Sequence, residues 1–163
     1  MSGLDQWNAL PQEEAATELL AVCHSRRWAE RVAAGRPYAD LAALQEAADE
    51  VWTGLDADDW LEAFEAHPRI GEGGGRSPAW SRQEQSGVGG AGQEVQEALA
   101  RGNAEYEARF GHVFLIAAAG RSAEEILAEL QARLDNDPAT EVRVAAGEHR
   151  RITRLRIGKL MGT

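Results

Sequence analysis

The chain has 163 residues, a length suited to one folded domain able to bury a substantial core. Its 17 basic and 27 acidic residues leave a net charge of −10, which repels phosphate backbones and argues against nucleic acid as a partner. Hydrophobic residues make up 44%, yet no apolar run approaches the roughly 20 residues of a membrane span, and the opening MSGLDQWNALPQEE lacks the basic-then-apolar order of a signal peptide, so the sequence predicts a soluble, cytoplasmic protein without a membrane partner.

Pro11, where a missing N–H costs nothing, opens the first predicted helix, which Leu19, Leu20 and Cys23 supply with part of an apolar stripe and which ends near Ser25. Cys23 is the single cysteine, and its neighbours Leu19, Leu20 and Val22 predict a buried, inert thiol. From Asp40 to Gly54, Leu41, Leu44, Ala48, Val51 and Trp52 recur at helical spacing, with Gly54 as the stop. A further helix follows Asp56, carries Trp60, Leu61 and Phe64, and ends around Ala66, because Pro68 disfavours helical geometry at His67. His67 is thereby presented at a helix terminus. The stretch from Gly71 to Gly92 is rich in Gly and Ser, apart from a short predicted helix opened by Pro78 and bearing Ser81, Glu84 and Gln85.

A long polar helix runs from about Gln93 to Phe110, followed by HVFLIAAAG, an apolar segment that suits either a strand or a buried extended crossing. Ser122 and Glu125 form a capping box for the helix ILAELQARL, and Asp137-Pro138 starts the final helix, which carries Ile152, Leu155, Arg156 and Leu160. No internal repeat is visible. About seven or eight helices and one short extended segment near 112–119 predict a single all-α domain over 1–163.

No C-x-x-C or H-E-x-x-H occurs, and His24, His67, His112 and His149 are far apart in sequence, so no metal site is predicted. GEGGGR at Gly71 to Arg76 lacks the Lys-Ser/Thr ending of a phosphate loop and reads as a flexible loop. There is no G-x-S-x-G elbow, and Lys159, the only lysine, lies in no apolar setting suited to a Schiff base. What remains is His67, the Ser-x-x-Glu-Gln turn at Ser81, and Arg156. Each also has a plain explanation: a surface histidine before a proline, a solvated Glu84, and a cation matched to the dipole of the last helix. Arg143, Arg150, Arg151, Arg154, Arg156 and Lys159 crowd that helix, and the dipole accounts for most of them, leaving one or two for an anionic ligand.

HPRIGE from His67, SRQEQSGV from Ser81, NAEYEARFGHVFLIAAAGR from Asn103, and RLDN followed by ITRLRI together resemble one family, the 2-oxo-4-hydroxy-4-carboxy-5-ureidoimidazoline (OHCU) decarboxylases. The likeness runs in order and spacing from about Leu10 to Leu160, and His112 is one departure, standing where many relatives carry an apolar or other side chain. The resemblance implies an all-helical fold, no cofactor, homodimerisation, and conversion of OHCU to (S)-allantoin as the last step from urate. It puts the catalytic residues at His67, Glu84 and Arg156. It puts substrate contacts at Pro68, at Ser81, Arg82, Gln83, Glu84 and Gln85, and at Phe114, Leu115, Ile116, Ala117 and Ala118. The alternatives are a non-catalytic helical partner-binding module and a decarboxylase of the same fold acting on another ureido acid.

Overall fold

Amphipathic stretches closed by side-chain caps build a fold whose regular structure is entirely helical among the described residues. The computed structural model describes residues 3–67 and 92–162. Its helices are α1 (Gly3–Asn8), α2 (Gln12–Leu20), α3 (Arg26–Ala34), α4 (Leu41–Thr53), α5 (Ala57–Phe64), α6 (Gln93–Phe110), α7 (Ala123–Arg133) and α8 (Pro138–Leu160). The short helix expected after Pro78 lies outside the described residues. Chain contacts divide the protein into two units, one of residues 1–63 with 150–163 and one of residues 64–149. No described helix is long and apolar enough to cross a membrane.

In the first unit three tryptophans tie neighbouring helices together through their indole N–H groups, the rings of Trp7 and Trp28 being buried. Trp7 donates to Ala15 O at 3.1 Å, Trp28 to Ala48 O at 3.1 Å, and Trp60 to Trp52 O at 3.0 Å. Asp40 caps α4 through a 2.8 Å bond from Ala43 N, matching the expected start, and Gly54 follows its last turn. Two boundaries differ from the sequence reading. The helix opened by Pro11 stops at Leu20, and Ser25 is not a stop but the N-cap of α3, its hydroxyl accepting from Trp28 N at 3.3 Å. Helix α1 was not anticipated either. Arg36 closes it, donating to the carbonyls of Trp7, Asn8 and Leu10 at 3.0, 3.3 and 2.7 Å.

Cys23 is buried as expected, and burial pushes its thiol well above the ordinary range despite the neighbouring Ser25 amide, Thr153 and Arg156, which act in the opposite sense. A buried protonated thiol is a poor nucleophile.

The second unit is organised around an extended segment. HVFLIAAAG forms no ladder and crosses the core as irregular chain, resolving the choice between strand and crossing. Phe114, Ile116 and Ala118 enter a cluster with Leu99 and Tyr106 of α6 and Ile126 and Leu130 of α7. Two glycines make room for this. Gly111 ends α6 at φ 80°, where a side chain would be strained, and a Cβ on Gly102 would come within 2.5 Å of Leu130 Cδ2.

A segment without its own ladder needs partners for its backbone groups. Leu115 C=O accepts from Arg133 Nη1 at 2.6 Å, and the same guanidinium lies 4.6 Å from the Phe114 ring centroid. Arg133 also reaches Glu141 Oε2 at 2.5 Å, both side chains being buried. Asn136 Nδ2 donates to Glu141 Oε1 at 3.0 Å, and the Tyr106 hydroxyl donates to Oε2. Burial, and next the bond to this carboxylate, push the Tyr106 phenol far up, so it stays a donor. The capping box predicted at Ser122 is present, and Asp137 caps α8, holding Thr140 N at 2.9 Å.

Two outcomes follow. Glu141→Leu leaves a buried guanidinium uncompensated and should lower stability by about 3–5 kcal/mol in urea unfolding, while Arg133→Met with Glu141→Leu recovers much of that loss; a single-variant loss below about 1 kcal/mol contradicts the network. Cys23 should not react with a thiol reagent in the native state and should titrate as one thiol on unfolding; rapid native labelling contradicts its burial.

Candidate functional site

His67 sits one turn beyond the end of α5, its backbone N–H bonded to Phe64 O at 3.1 Å, and the proline next in sequence prevents the helix from continuing. Its side chain is half-buried. The ring meets that of His149, which is fully enclosed on α8, with centroids 4.7 Å apart and planes at 79°. Phe64 packs 5.8 Å from His149 and 5.3 Å from His112, and His112 in turn lies 5.5 Å from Tyr106. Three histidines widely spaced in the chain thus join one aromatic cluster in the second unit. Among the described residues no group of three or more His, Cys, Asp or Glu is placed to hold a metal ion.

The run Phe114, Leu115, Ile116, Ala117 and Ala118 belongs to the same unit. In an extended chain alternate residues face opposite ways. Phe114, Ile116 and Ala118 join one apolar cluster, while Leu115 is buried outside that cluster and Ala117 is half-buried. Some backbone groups of the run already have partners: Leu115 C=O has Arg133, Ala118 C=O accepts from Arg121 N at 3.0 Å, and Ala117 N–H reaches Glu148 Oε1 at 3.4 Å. Glu148 is itself buried and pairs with Arg121 at 3.5 Å.

Arg156 belongs to the first unit. It is buried, with Nη1 3.4 Å from Val22 O, in contrast to Arg154 two residues earlier, which is about half exposed and engages Asp49 at 2.9 Å. Arginine is rarely buried unless it is paired. Its burial distinguishes Arg156 from the exposed cations of the same helix. Glu84, with Pro68, Ser81, Arg82, Gln83 and Gln85, lies outside the described residues. Of the expected site, His67 and the run 114–118 share one unit and Arg156 lies in the other.

Sequence reading named His149 without assigning it a use. A signal was present: His149 stands three to four residues from Ala145, Ala146, Ile152 and Thr153, all buried, so its place is on the inward stripe of α8.

Residues 8–158 match the family model described as OHCU decarboxylase, one match that runs through both units. The chain is 33% identical to the uric acid degradation bifunctional protein TTL of Arabidopsis thaliana over 93% of its own length and 48% of that protein's, so it spans about half of that relative. It is 34% identical to the 2-oxo-4-hydroxy-4-carboxy-5-ureidoimidazoline decarboxylase of Amia calva, over 76% of this chain and 73% of that one. A crystal structure of OHCU decarboxylase in the presence of (S)-allantoin superposes with a TM-score of 0.80 at 31% identity, covering 90% of this chain and 98% of the other.

Proposed function

The chain belongs to the OHCU decarboxylase family, and on that premise we propose that it converts 2-oxo-4-hydroxy-4-carboxy-5-ureidoimidazoline to (S)-allantoin and carbon dioxide, closing the route from urate to allantoin. The observation that carries the proposal is the match over residues 8–158, supported by the shared fold at 31% identity. His67, Glu84 and Arg156 are the proposed catalytic residues, with the runs at Pro68, at 81–85 and at 114–118 as substrate contacts.

The chemistry asks little beyond placed acids and bases. The carbon that loses carbon dioxide bears a hydroxyl and lies beside a ring C=N bond. As the carbon–carboxylate bond breaks, its electron pair forms a C=C bond within the ring, and the C=N nitrogen takes up a proton. The ring is thus its own electron sink, so the proposed reaction is cofactor-independent. The hydroxyl then gives up its proton to become a carbonyl, and the carbon bearing the ureido group is protonated on one face. His67, whose side chain ordinarily titrates near neutrality, moves the hydroxyl proton, and Glu84 orients it or shares that proton. Arg156, a permanent fork-shaped cation, holds the anionic substrate. Since Leu115 C=O is committed to Arg133, hydrogen bonding of the substrate by the 114–118 run falls on its other backbone groups.

Cytoplasmic location and homodimeric assembly belong to the same proposal; the first is supported by composition and the second by the family resemblance.

Circular dichroism during turnover of freshly generated OHCU tests the reaction, because uncatalysed decay gives racemic product. Rapid enzyme-dependent appearance of (S)-allantoin is the expected result, and a trace matching spontaneous decay points to a non-catalytic module or another ureido substrate. His67→Ala should cost at least about 10²-fold in turnover with the fold retained; normal turnover removes its role. Arg156→Lys keeps charge and loses the two-pronged contact, so kcat/KM should fall by roughly 2 kcal/mol, on the order of thirtyfold, and unchanged kinetics removes that assignment.

A further inference from the structure

We propose that His149 is a positioning residue for His67, fixing the plane of its imidazole by an edge-to-face ring contact; the proposal rests on the reading of His67 as the proton-transfer group. His67 stands on a turn just past a helix end. The outer torsion of a histidine is broad and roughly two-fold, so the backbone alone does not set where its nitrogens point. His149 offers a fixed surface against the His67 ring. It is fully enclosed and sits within a 23-residue helix, so its ring is a fixed surface. The rings stand at 79° with centroids 4.7 Å apart, the edge-to-face arrangement that aromatic quadrupoles favour. Phe64, whose carbonyl accepts the His67 N–H, packs on the same His149 ring at 5.8 Å. Both the start and the end of the turn are therefore held by one side chain.

Proton transfer needs a base within hydrogen-bond reach and in line, and loss of alignment is felt in turnover more than in binding. His149 does not touch the reacting atoms in this reading, so its effect passes through His67.

The test compares His149→Leu, which removes the ring, with His149→Phe, which keeps an aromatic ring of similar outline. The kinetics of (S)-allantoin formation are read together with the NMR ring signals of labelled histidine, that of His67 being identified by its loss in His67→Ala. His149→Leu should lower kcat about tenfold with KM changed less than about twofold, and should shift the His67 ring signals. His149→Phe should hold kcat within about threefold of wild type and leave those signals ring-shifted. Wild-type kcat in His149→Leu overturns the proposal, as does equal impairment of both variants, and so do His67 signals that do not move when the ring is removed. Should the leucine variant not fold, the phenylalanine variant decides by the same limits. An active His67→Ala variant removes the catalytic reading and this proposal with it, whereas an inactive one beside a fully active His149→Leu removes this proposal alone.

Discussion

The second unit depends on a buried ion pair. Arg133 and Glu141, on neighbouring helices, meet at 2.5 Å with both side chains almost fully enclosed. Burying two charges costs several kcal/mol apiece before their attraction is counted, so such a pair is tolerated only when its remaining hydrogen-bonding capacity is met. Here it is met by Tyr106, Asn136 and the carbonyl of Leu115. That last bond gives the pair its use. An irregular segment in an apolar core strands its carbonyls, and Arg133 supplies a donor in the interior where α6 and α7 have spent theirs on themselves. A leucine or methionine at 133 would pack as well and leave Leu115 C=O without that donor. The polar network is therefore less a source of net stability than the means by which the Leu115 carbonyl of an irregular crossing is satisfied inside the core.

Helix ends place His67 in a comparable way. Helix α5 stops because a proline follows, and the turn after it leaves His67 half-buried next to an aromatic cluster built from α5, α6 and α8. A histidine in mid-helix would have its direction set by its own backbone; one on a terminal turn takes it from its neighbours. The fully enclosed His149 ring is the neighbour that comes nearest in the aromatic cluster.

What the sequence made legible follows the strength of its local signals. Asp40 with Gly54, Ser122 with Glu125, and Asp137-Pro138 are caps whose chemistry acts within four residues, and each marks its boundary in the structure. The misreading around Ser25 has a physical cause. The same hydroxyl that disfavours a helix interior suits an N-cap, and the Arg-rich surface of α3 hides its buried Trp28, Ala29, Val32 and Ala33. Helix α1 is only six residues and is closed by Arg36 from far along the chain, a contact no local window contains. In the same way HVFLIAAAG announced its burial through composition and withheld its conformation, because the donor that decides it comes from residue 133. The candidate site was legible as a motif set and not as geometry. His149 shows the limit: it stood in the sequence only as one of four scattered histidines, and the fold shows which ring it meets.

Charge poses the last constraint. A chain of net −10 repels anions at a distance, so attraction of the anionic substrate proposed for it must be local. At physiological ionic strength exposed charges are screened beyond about 8 Å, which discounts most of the acidic surface and equally the exposed arginines of α8. A buried guanidinium is screened far less. Arg154 engages Asp49 at the surface, whereas Arg156 is buried, with Nη1 3.4 Å from the carbonyl of Val22. A buried cation acts on a nearby anion through a field less screened than that of an exposed one, which is why the proposed substrate contact is placed on Arg156 rather than Arg154.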